Sequence, residues 1–269
     1  MSIINNKNRV GNISSSNAYK LIPNGKREMT SDELCDYKKN NPKGRAKTIE
    51  DDTLFSSGGY TYIKELRQER KRKRSLSMDI SSQSTDWGDI MERRVFDMIG
   101  IEYHDTSQIT YTHPNYPDWV GSPDLLIPND RIGDIKGYEP KNFCNYADCI
   151  MEKDVKKLKE NFPKEYWQLG SNACIHNVDT VEILLYQPYD NEAGRIMEII
   201  DRELETNPVP KWGWKNIYDK LMTGELWRLP FQPDDSDYPN LVTWDFVFPK
   251  EDKLFLEKKI KSAIKLLNE

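Results

Sequence analysis

The chain has 269 residues, 44 of them acidic and 39 basic, which gives a formal charge of −5. This length allows one large domain or two modest ones with a sizeable core, and the near balance of charge does not by itself indicate a nucleic-acid partner. Mean hydropathy is −0.80, no apolar run approaches the roughly 18 residues of a membrane span, and the first residues lack the apolar core of a signal peptide. We therefore expect a cytoplasmic protein without membrane association.

The cysteines and histidines show no pattern typical of a metal site. The four cysteines contain no CxxC pair, which argues against a zinc site and against disulfides in a cytoplasmic chain. An iron–sulfur cluster on these cysteines is the alternative that remains. The three histidines are isolated and share no helical or strand spacing, which is typical of packing or surface residues.

The N-terminal part of the chain is polar, and its predicted elements are short. A serine run is a good N-cap and predicts a short helix from about Ser16. Residues 24–47 are rich in Lys, Asn, Pro and Gly, which predicts a loop with one helical turn near 31–37. Residues 60–74 are predicted to form a helix with one apolar face.

The end of that helix carries the densest basic cluster in the sequence, at residues 67–74. Phosphate contact is the functional interpretation, and a solvated helix end is the alternative; the residue types favour neither. A nuclear localisation signal would look the same, but no other feature indicates a nucleus. Arg70, Arg72 and Arg74 are therefore candidate contacts to a nucleic-acid backbone.

A second amphipathic helix is predicted from caps at residues 84–86 to about Ile99. Glu92 lies close to the apolar stripe of this helix rather than on its solvent side. A carboxylate in that position requires a partner. An alternating run at 109–112 predicts a strand that leads into a hairpin.

The hairpin is the most informative stretch of the sequence. Two β-prone runs flank a Pro-Asn-Asp turn within residues 124–136. If those three residues form the turn, Ile127 pairs with Arg131. Counting outward along the antiparallel ladder then places Asp124 opposite Asp134, so both carboxylates share one face.

Opposed carboxylates require a physical explanation. The Cβ atoms of directly opposed residues are ~5 Å apart, and at an effective dielectric of about 20 two such charges repel by roughly 3 kcal/mol. Alternation places Lys136 on the same face and points Ile135 into the core. Two carboxylates and an ammonium are typical of a divalent-cation site, because hard oxygen ligands suit Mg²⁺ or Mn²⁺. The alternative is a solvated polar face on which Lys136 pairs the acids.

The remaining elements alternate between helices and strands. Helices are predicted at 147–160, 163–172, 191–205, 214–222 and 250–267, and strands at 181–186 and 242–248. The strand at 181–186 is continuously apolar, which is typical of a strand covered on both faces. Residues 207–240 mix Pro, Gly, Trp and acidic residues and are interpreted as an insertion. The pattern predicts one α/β domain over 1–269, with a central mixed sheet of four or five strands flanked by helices.

Four stretches, taken in order, resemble the motifs of a known family. They are residues 9–16, which read Arg-x-Gly-x-Ile-Ser-Ser-Ser, residues 87–92, which read Trp-Gly-x-x-x-Glu, Pro123-Asp124 with Asp134-Ile135-Lys136, and Tyr166-Trp167-Gln168. The order of these motifs resembles that of the PD-(D/E)xK nucleases of the lambda exonuclease and YqaJ viral recombinase type. The resemblance spans nearly the whole chain, and the motifs are specific as a set.

The resemblance implies a restriction-endonuclease-like α/β core and a metal-dependent deoxyribonuclease. The implied catalytic residues are Glu92, Asp124, Asp134, Lys136 and Gln168. The implied ligands of Mg²⁺, for which Mn²⁺ can substitute, are Asp124, Asp134, the carbonyl of Ile135 and Glu92. The implied binding site for the 5′ phosphate of a DNA end consists of Arg9, Ser14 and Ser16, within an N-terminal helical and basic region at residues 1–80.

The family also implies a reaction and partners. The expected activity is 5′-to-3′ exonuclease digestion of linear double-stranded DNA by two-metal hydrolysis, in phage-type recombination or DNA processing. The implied partners are duplex DNA ends, a single-strand annealing protein and further copies of the chain, as a trimer, in the cytoplasm of a bacterial host of the phage or prophage. The alternatives are an endonuclease of restriction or repair type and a catalytically silent DNA-binding module.

The sequence departs from the family pattern at several positions. Asp134 stands where the relatives usually have glutamate, and Gly137-Tyr138 stands where they tend to have Cys-Pro. A downstream phosphate-contacting arginine has no clear counterpart, and Lys141 is its candidate substitute. The insertion at 207–240 is absent from the smaller relatives. These departures affect the expected mode of DNA engagement more than the expected chemistry.

Overall fold

Strands and helices alternate along most of the chain. The computed structural model describes residues 9–76, 83–100, 109–127, 129–206 and 212–269, without the side chains of Gln83 and Trp212. The strands are β1 (Ile13–Ser14), β2 (Asn24–Glu28), β3 (Thr48–Phe55), β4 (Tyr111–His113), β5 (Tyr116–Gly121), β6 (Leu125–Ile127), β7 (Arg131–Lys136), β8 (Thr180–Tyr186) and β9 (Leu241–Val247). The α-helices are α1 (Ser31–Asn40), α2 (Ser57–Arg72), α3 (Gln83–Ile99), α4 (Pro140–Glu152), α5 (Val155–Asn161), α6 (Pro163–His176), α7 (Ala193–Thr206), α8 (Trp212–Met222) and α9 (Lys250–Asn268). Short 3-10 helices include Ser15–Leu21 and Leu226–Arg228.

Four strands form a central sheet in the order β6-β7-β8-β9. β7 and β8 run parallel, whereas β6 and β9 pair antiparallel with their neighbours, so the sheet is mixed. One face packs on α4, α5, α6 and α9, and the other packs on α3, α7 and α8. β8 is covered on both faces, as its continuous apolar sequence predicts. The predicted α/β fold with a central mixed sheet is confirmed.

A second sheet, in the order β1-β5-β4, connects the N-terminal segment to the strand that precedes the hairpin. β1 runs parallel to β5, with Ser14 opposite Val120. The strand predicted near 109–112 is β4, but β5 was not predicted. Pro117 lies inside β5, and proline within an apolar run argues against a strand in sequence-based assignment.

The prediction that residues 24–47 form a loop is wrong at β2, which pairs antiparallel with β3. Most residues of β3 are exposed, and α1 between the two strands buries none of its residues. The strands therefore lack the apolar alternation by which a sequence reveals them. The helical turn predicted near 31–37 is present as α1, which begins with a capping box between Thr30 and Glu33.

The single helix predicted at 147–160 is two helices, α4 and α5. Lys153 adopts a left-handed conformation, with φ of 54°, and ends α4. The carboxylate of Asp154 then accepts hydrogen bonds from the backbone N–H groups of Lys156, at 2.8 Å, and Lys157, at 3.1 Å. Aspartate prefers such an N-cap to a helix interior, so the sequence did contain the signal for the break.

The other predicted elements are present as α2, α3, α6, α7, α8, α9, β8 and β9. Parts of the predicted N-terminal region and insertion, together with Pro128 of the hairpin turn, lie outside the described residues. Within the described ranges, no helix combines the length and the apolar composition needed to cross a membrane.

Candidate active site

The hairpin of β6 and β7 has the predicted register. Ile127 pairs with Arg131, and the ladder continues to Leu125 opposite Gly133. Asn129 in the turn has a φ of 58°, a left-handed conformation that asparagine tolerates better than most residues. The next position beyond the ladder places Asp124 beside Asp134, as the turn composition predicted.

The two aspartates lie on the face of the sheet that packs against α6. Asp124 Oδ2 accepts a hydrogen bond of 2.7 Å from the backbone N–H of Ile135. Burial, reinforced by the neighbouring charge of Asp134, raises the pKa of Asp124 to about 7. The pair is therefore a site at which a second negative charge is unfavourable unless a cation is near.

Asp134 is almost completely buried, with 1% of its surface exposed, and the side chains of Lys136 and Gln168 contact it in addition to that of Asp124. The Nζ atom of Lys136 lies 2.7 Å from Asp134 Oδ2, and Gln168 Nε2 donates a hydrogen bond of 2.8 Å to Asp134 Oδ1. Burial disfavours the charged lysine, but Asp134 and Asp124 outweigh burial and raise the pKa of Lys136. The neighbouring carboxylates thus favour the charged form of Lys136.

Ile135 points to the opposite face of the sheet from its neighbours Asp134 and Lys136. Its side chain lies in the cluster of α3, α7 and α8, on the opposite side of the sheet from Asp134. Within a strand, the N–H and C=O of one residue point to the same side. Because the Ile135 N–H donates to Asp124, its carbonyl oxygen lies on the same side of β7, the side that faces Asp124.

Glu92 approaches from another direction. It lies, half-buried, on α3, which packs on the face of the sheet opposite to α6. Its neighbour Met91 packs so closely on Gly137, the residue after Lys136, that a Cβ at Gly137 would lie 3.0 Å from Met91 Cγ. Among the described residues, no three His, Cys, Asp or Glu side chains form a cluster that could hold a metal ion. The role of Glu92 as a third ligand stays a prediction.

The donor set nevertheless fits Mg²⁺. This ion is usually held by one or two carboxylates together with substrate phosphates and water, rather than by a cage of protein ligands. Asp124, Asp134 and the Ile135 carbonyl supply hard oxygen ligands of that kind. A divalent cation would also offset the repulsion that raises the pKa of Asp124.

Of the predicted phosphate-binding residues, Ser14 lies on β1, Ser16 lies on the 3-10 helix that follows it, and Arg9 precedes β1. The hydroxyl oxygens of Ser14 and Ser16 are 3.3 Å apart. The buried Nε atom of Arg9 has no hydrogen-bond partner among the described residues. Burial lowers the pKa of Arg9, and the charge of Asp124 acts in the opposite direction. The structure therefore brings a partly desolvated guanidinium near the hairpin acids.

The basic run at 67–74 divides into two groups. Arg70 donates hydrogen bonds to the Gly11 carbonyl and the Asn268 side chain, each at 2.7 Å, and forms an ion pair of 2.6 Å with Asp118. Arg70 thus joins α2 to three other parts of the chain, whereas three other predicted DNA contacts, two in this run and one on α4, are solvent-exposed. These are Arg72, Arg74 and Lys141.

Sequence reasoning missed one pair beside the site. The hydroxyl of Tyr138 donates a hydrogen bond of 2.7 Å to Glu165 Oε1. The charge of Glu165 also contributes to the raised pKa of Lys136. Glu165 lies one helical turn before Gln168 on α6, and residues three apart share a helix face. That spacing is the signal that could have identified it.

The comparisons with known proteins show similarity in fold. The chain is similar to an alkaline exonuclease from Laribacter hongkongensis, with a TM-score of 0.52 and 11% identity, over 97% of this chain and 89% of that chain. The same exonuclease in complex with dAMP gives a TM-score of 0.52 and 12% identity, over 97% of this chain and 90% of that chain. A phage-related exonuclease from Haemophilus somnus 129PT gives a TM-score of 0.53 and 12% identity, over 95% of this chain and 93% of that chain. No protein-family model and no curated protein matches the sequence.

Proposed function

We propose that this chain, which has the fold of the PD-(D/E)xK nucleases of the lambda exonuclease and YqaJ type, is a magnesium-dependent DNA exonuclease. The observation that carries the proposal is the arrangement of Asp124, Asp134, Lys136 and Gln168 on one face of the sheet. Two acids, a cation and an amide on rigid elements are suited to phosphodiester hydrolysis, in which negative charge develops on the phosphate. The exonuclease fold neighbours support DNA as the substrate.

Asp124, Asp134 and the Ile135 carbonyl would hold the metal, and Glu92 would approach it through water. When bound, Mg²⁺ would lower the pKa of the attacking water and would neutralise charge on the leaving 3′ oxygen. Lys136 donates hydrogen bonds to the reacting phosphate as its charge grows. Gln168 fixes the orientation of Asp134, which in turn fixes Lys136.

Arg9, Ser14 and Ser16 would bind the 5′ phosphate of the DNA end. The partly desolvated guanidinium of Arg9 is suited to a phosphate, because charge-assisted hydrogen bonds strengthen when water is excluded. A 5′ phosphate held there gives 5′-to-3′ polarity. We place this activity in phage-type recombination, in a bacterial cytoplasm, beside a single-strand annealing protein.

The test is digestion of linear duplex DNA with 5′-phosphate ends in the presence of Mg²⁺. Asp124→Ala and Lys136→Ala should each lower the rate of digestion by at least about 10²-fold. Asp130→Ala is the matched control, because Asp130 is an exposed aspartate in the turn of the same hairpin and should digest at the parental rate. Digestion at the parental rate in the Asp124→Ala or Lys136→Ala protein would refute the assignment.

Two substrate changes test the finer claims. Removal of the 5′ phosphate should slow the parent protein, whereas Arg9→Ala should digest phosphorylated and unphosphorylated ends equally slowly. Covalently closed circular duplex should stay intact, because it offers no end. Cutting of the circle would identify an endonuclease instead.

A further inference from the structure

A cleft opens beside the candidate active site. It has a volume of about 640 Å³, and its walls come from the start of α3, from the segment that follows β7 and from the 3-10 helix Leu226–Arg228. Gly137 and Tyr138, which directly follow Lys136 in the sequence, form one wall. The volume lies within the roughly 300–1,000 Å³ typical of small-ligand sites.

Trp227 also lines the cleft and is 83% exposed. An indole ring is among the largest apolar surfaces that a side chain carries, and in a stable fold it is normally at least half-buried. The guanidinium carbon of Arg228 lies 5.7 Å from the centre of the Trp227 ring. An exposed aromatic surface with a cation beside it is the combination that binds nucleobases together with their phosphates.

The cleft has a defined polar side. Arg228 pairs with Glu225 at 2.7 Å, but half of its side chain remains exposed and can contact a phosphate. Tyr138 is held by its hydrogen bond to Glu165, so this wall has a fixed shape. Glu139 also lines the cleft, and its carboxylate accepts hydrogen bonds from base amino groups but repels phosphates.

We propose that this cleft binds an unpaired stretch of the DNA strand, with one base stacked on Trp227 and an adjacent phosphate on Arg228. The proposal rests on the proposed nuclease function only in naming the strand as the enzyme's substrate or product. Because Gly137 and Tyr138 line the cleft and directly follow Lys136 in the sequence, a strand whose reacting phosphate lies at Lys136 can continue into the cleft. The segment that carries Trp227 thereby gives the insertion at 207–240 a role in holding the DNA.

The experiment measures binding without cleavage. A short fluorescein-labelled oligothymidylate is titrated with the full chain in EDTA, and anisotropy gives the Kd. Base–aromatic stacking predicts that Trp227→Ala weakens binding by about fivefold to a hundredfold, while Trp227→Phe, which keeps a ring, weakens it less. Arg228→Gln should reduce the salt dependence of the Kd, because one phosphate contact is lost. Leu254→Ala is the matched control, because Leu254 is 59% exposed on α9 and does not line the cleft.

An unchanged Kd for Trp227→Ala would overturn the proposal. If, in addition, the parent forms oligomers in light scattering and the Trp227→Ala protein is monomeric, the surface joins copies of this chain instead. The two proposals fail separately. Oligothymidylate binding through Trp227 without DNA digestion refutes the nuclease, whereas digestion with normal Trp227→Ala binding refutes the cleft.

Discussion

Two lysines in this molecule are withdrawn from solvent and have different surroundings. Lys136 keeps 20% of its side chain exposed and lies 2.7 Å from the carboxylate of Asp134. Lys259 on α9 is only 2% exposed. Its ammonium donates hydrogen bonds to the Asn24 side chain at 2.7 Å and to the carbonyls of Asp52 at 3.0 Å and Leu54 at 3.2 Å.

The difference separates Lys259, which holds parts of the fold together, from Lys136, which we propose acts on the phosphate. The atoms that Lys259 contacts directly are neutral oxygens and the rings of Phe55 and Phe255. Burial lowers its pKa, although the nearby charge of Asp52 acts in the opposite direction. Lys136 is surrounded by carboxylates that raise its pKa despite burial. Three neutral acceptors satisfy an ammonium completely, whereas a cluster of formal charges leaves repulsion that a ligand can relieve. Charge clustering, rather than burial, marks the site.

The largest effect is expected at Lys136. Lys136→Met should lower the rate of duplex digestion by about 10²–10³-fold, since removal of a donor to developing charge costs that much in other enzymes. The melting temperature should change less than the rate, because Asp134 keeps its hydrogen bond from Gln168 and the acid pair can retain a proton when the ammonium is lost. Digestion rate and thermal unfolding measured on the same preparation check both. A large loss of stability would mean that Lys136 is structural in the way that Lys259 is.

The opposite result is expected at Lys259. Lys259→Met leaves the carbonyls of Asp52 and Leu54 without their donor, which should cost about 2–3 kcal/mol of unfolding free energy. Hydrogen exchange should accelerate in β2 and β3, which this lysine joins to α9. Digestion at low temperature should stay within about twofold of the parent, since Lys259 does not touch the site. Urea unfolding measures the free energy, and an unaltered midpoint would contradict the prediction.

A smaller effect is expected at the acid pair of Asp124 and Asp134, where clustered charge should lower the stability of the fold. The pKa of Asp124 is raised to about 7, above the value of about 3.9 in an unfolded chain. As pH rises, the unfolded chain therefore loses its proton first, so this carboxyl reduces stability progressively from about pH 4 to 7 and fully above pH 7. Without metal, Asp124→Asn should be more stable than the parent at pH 8, by about 1–2 kcal/mol after allowance for partial solvent screening.

The gain should disappear toward pH 4, where the parent carboxyl is protonated. Thermal unfolding in EDTA at both pH values gives the comparison. Asp130→Asn is again the control, because that aspartate is exposed in the turn and should show no such dependence. Lower stability of Asp124→Asn at pH 8 would show that this carboxylate stabilises the fold.

The sequence predicted this region well because its determinants are local. A three-residue turn and strand alternation fix the register of Asp124 and Asp134, and they need no knowledge of the rest of the fold. Gln168 was predicted from its motif alone, because no spacing rule shows that α6 packs over β7. The bonds of Lys259 connect α9 to β2 and β3, segments far apart in sequence and without apolar alternation, so no sequence pattern could reveal them.

The smallest expected effect is the pH dependence of the two lysines. The pKa of Lys259 is lowered below its ordinary value of about 10.4, so as pH rises the folded protein loses this proton before the unfolded chain does. Stability contributed at Lys259 therefore increases with pH below about 10.4. The pKa of Lys136 is raised, and its contribution stays constant over that range. The stability difference between the parent and Lys259→Met should widen from pH 8 to pH 10, whereas the difference for Lys136→Met should not. Urea unfolding of the three proteins at both pH values measures both stability differences. The same pH dependence for Lys259→Met and Lys136→Met would contradict the prediction.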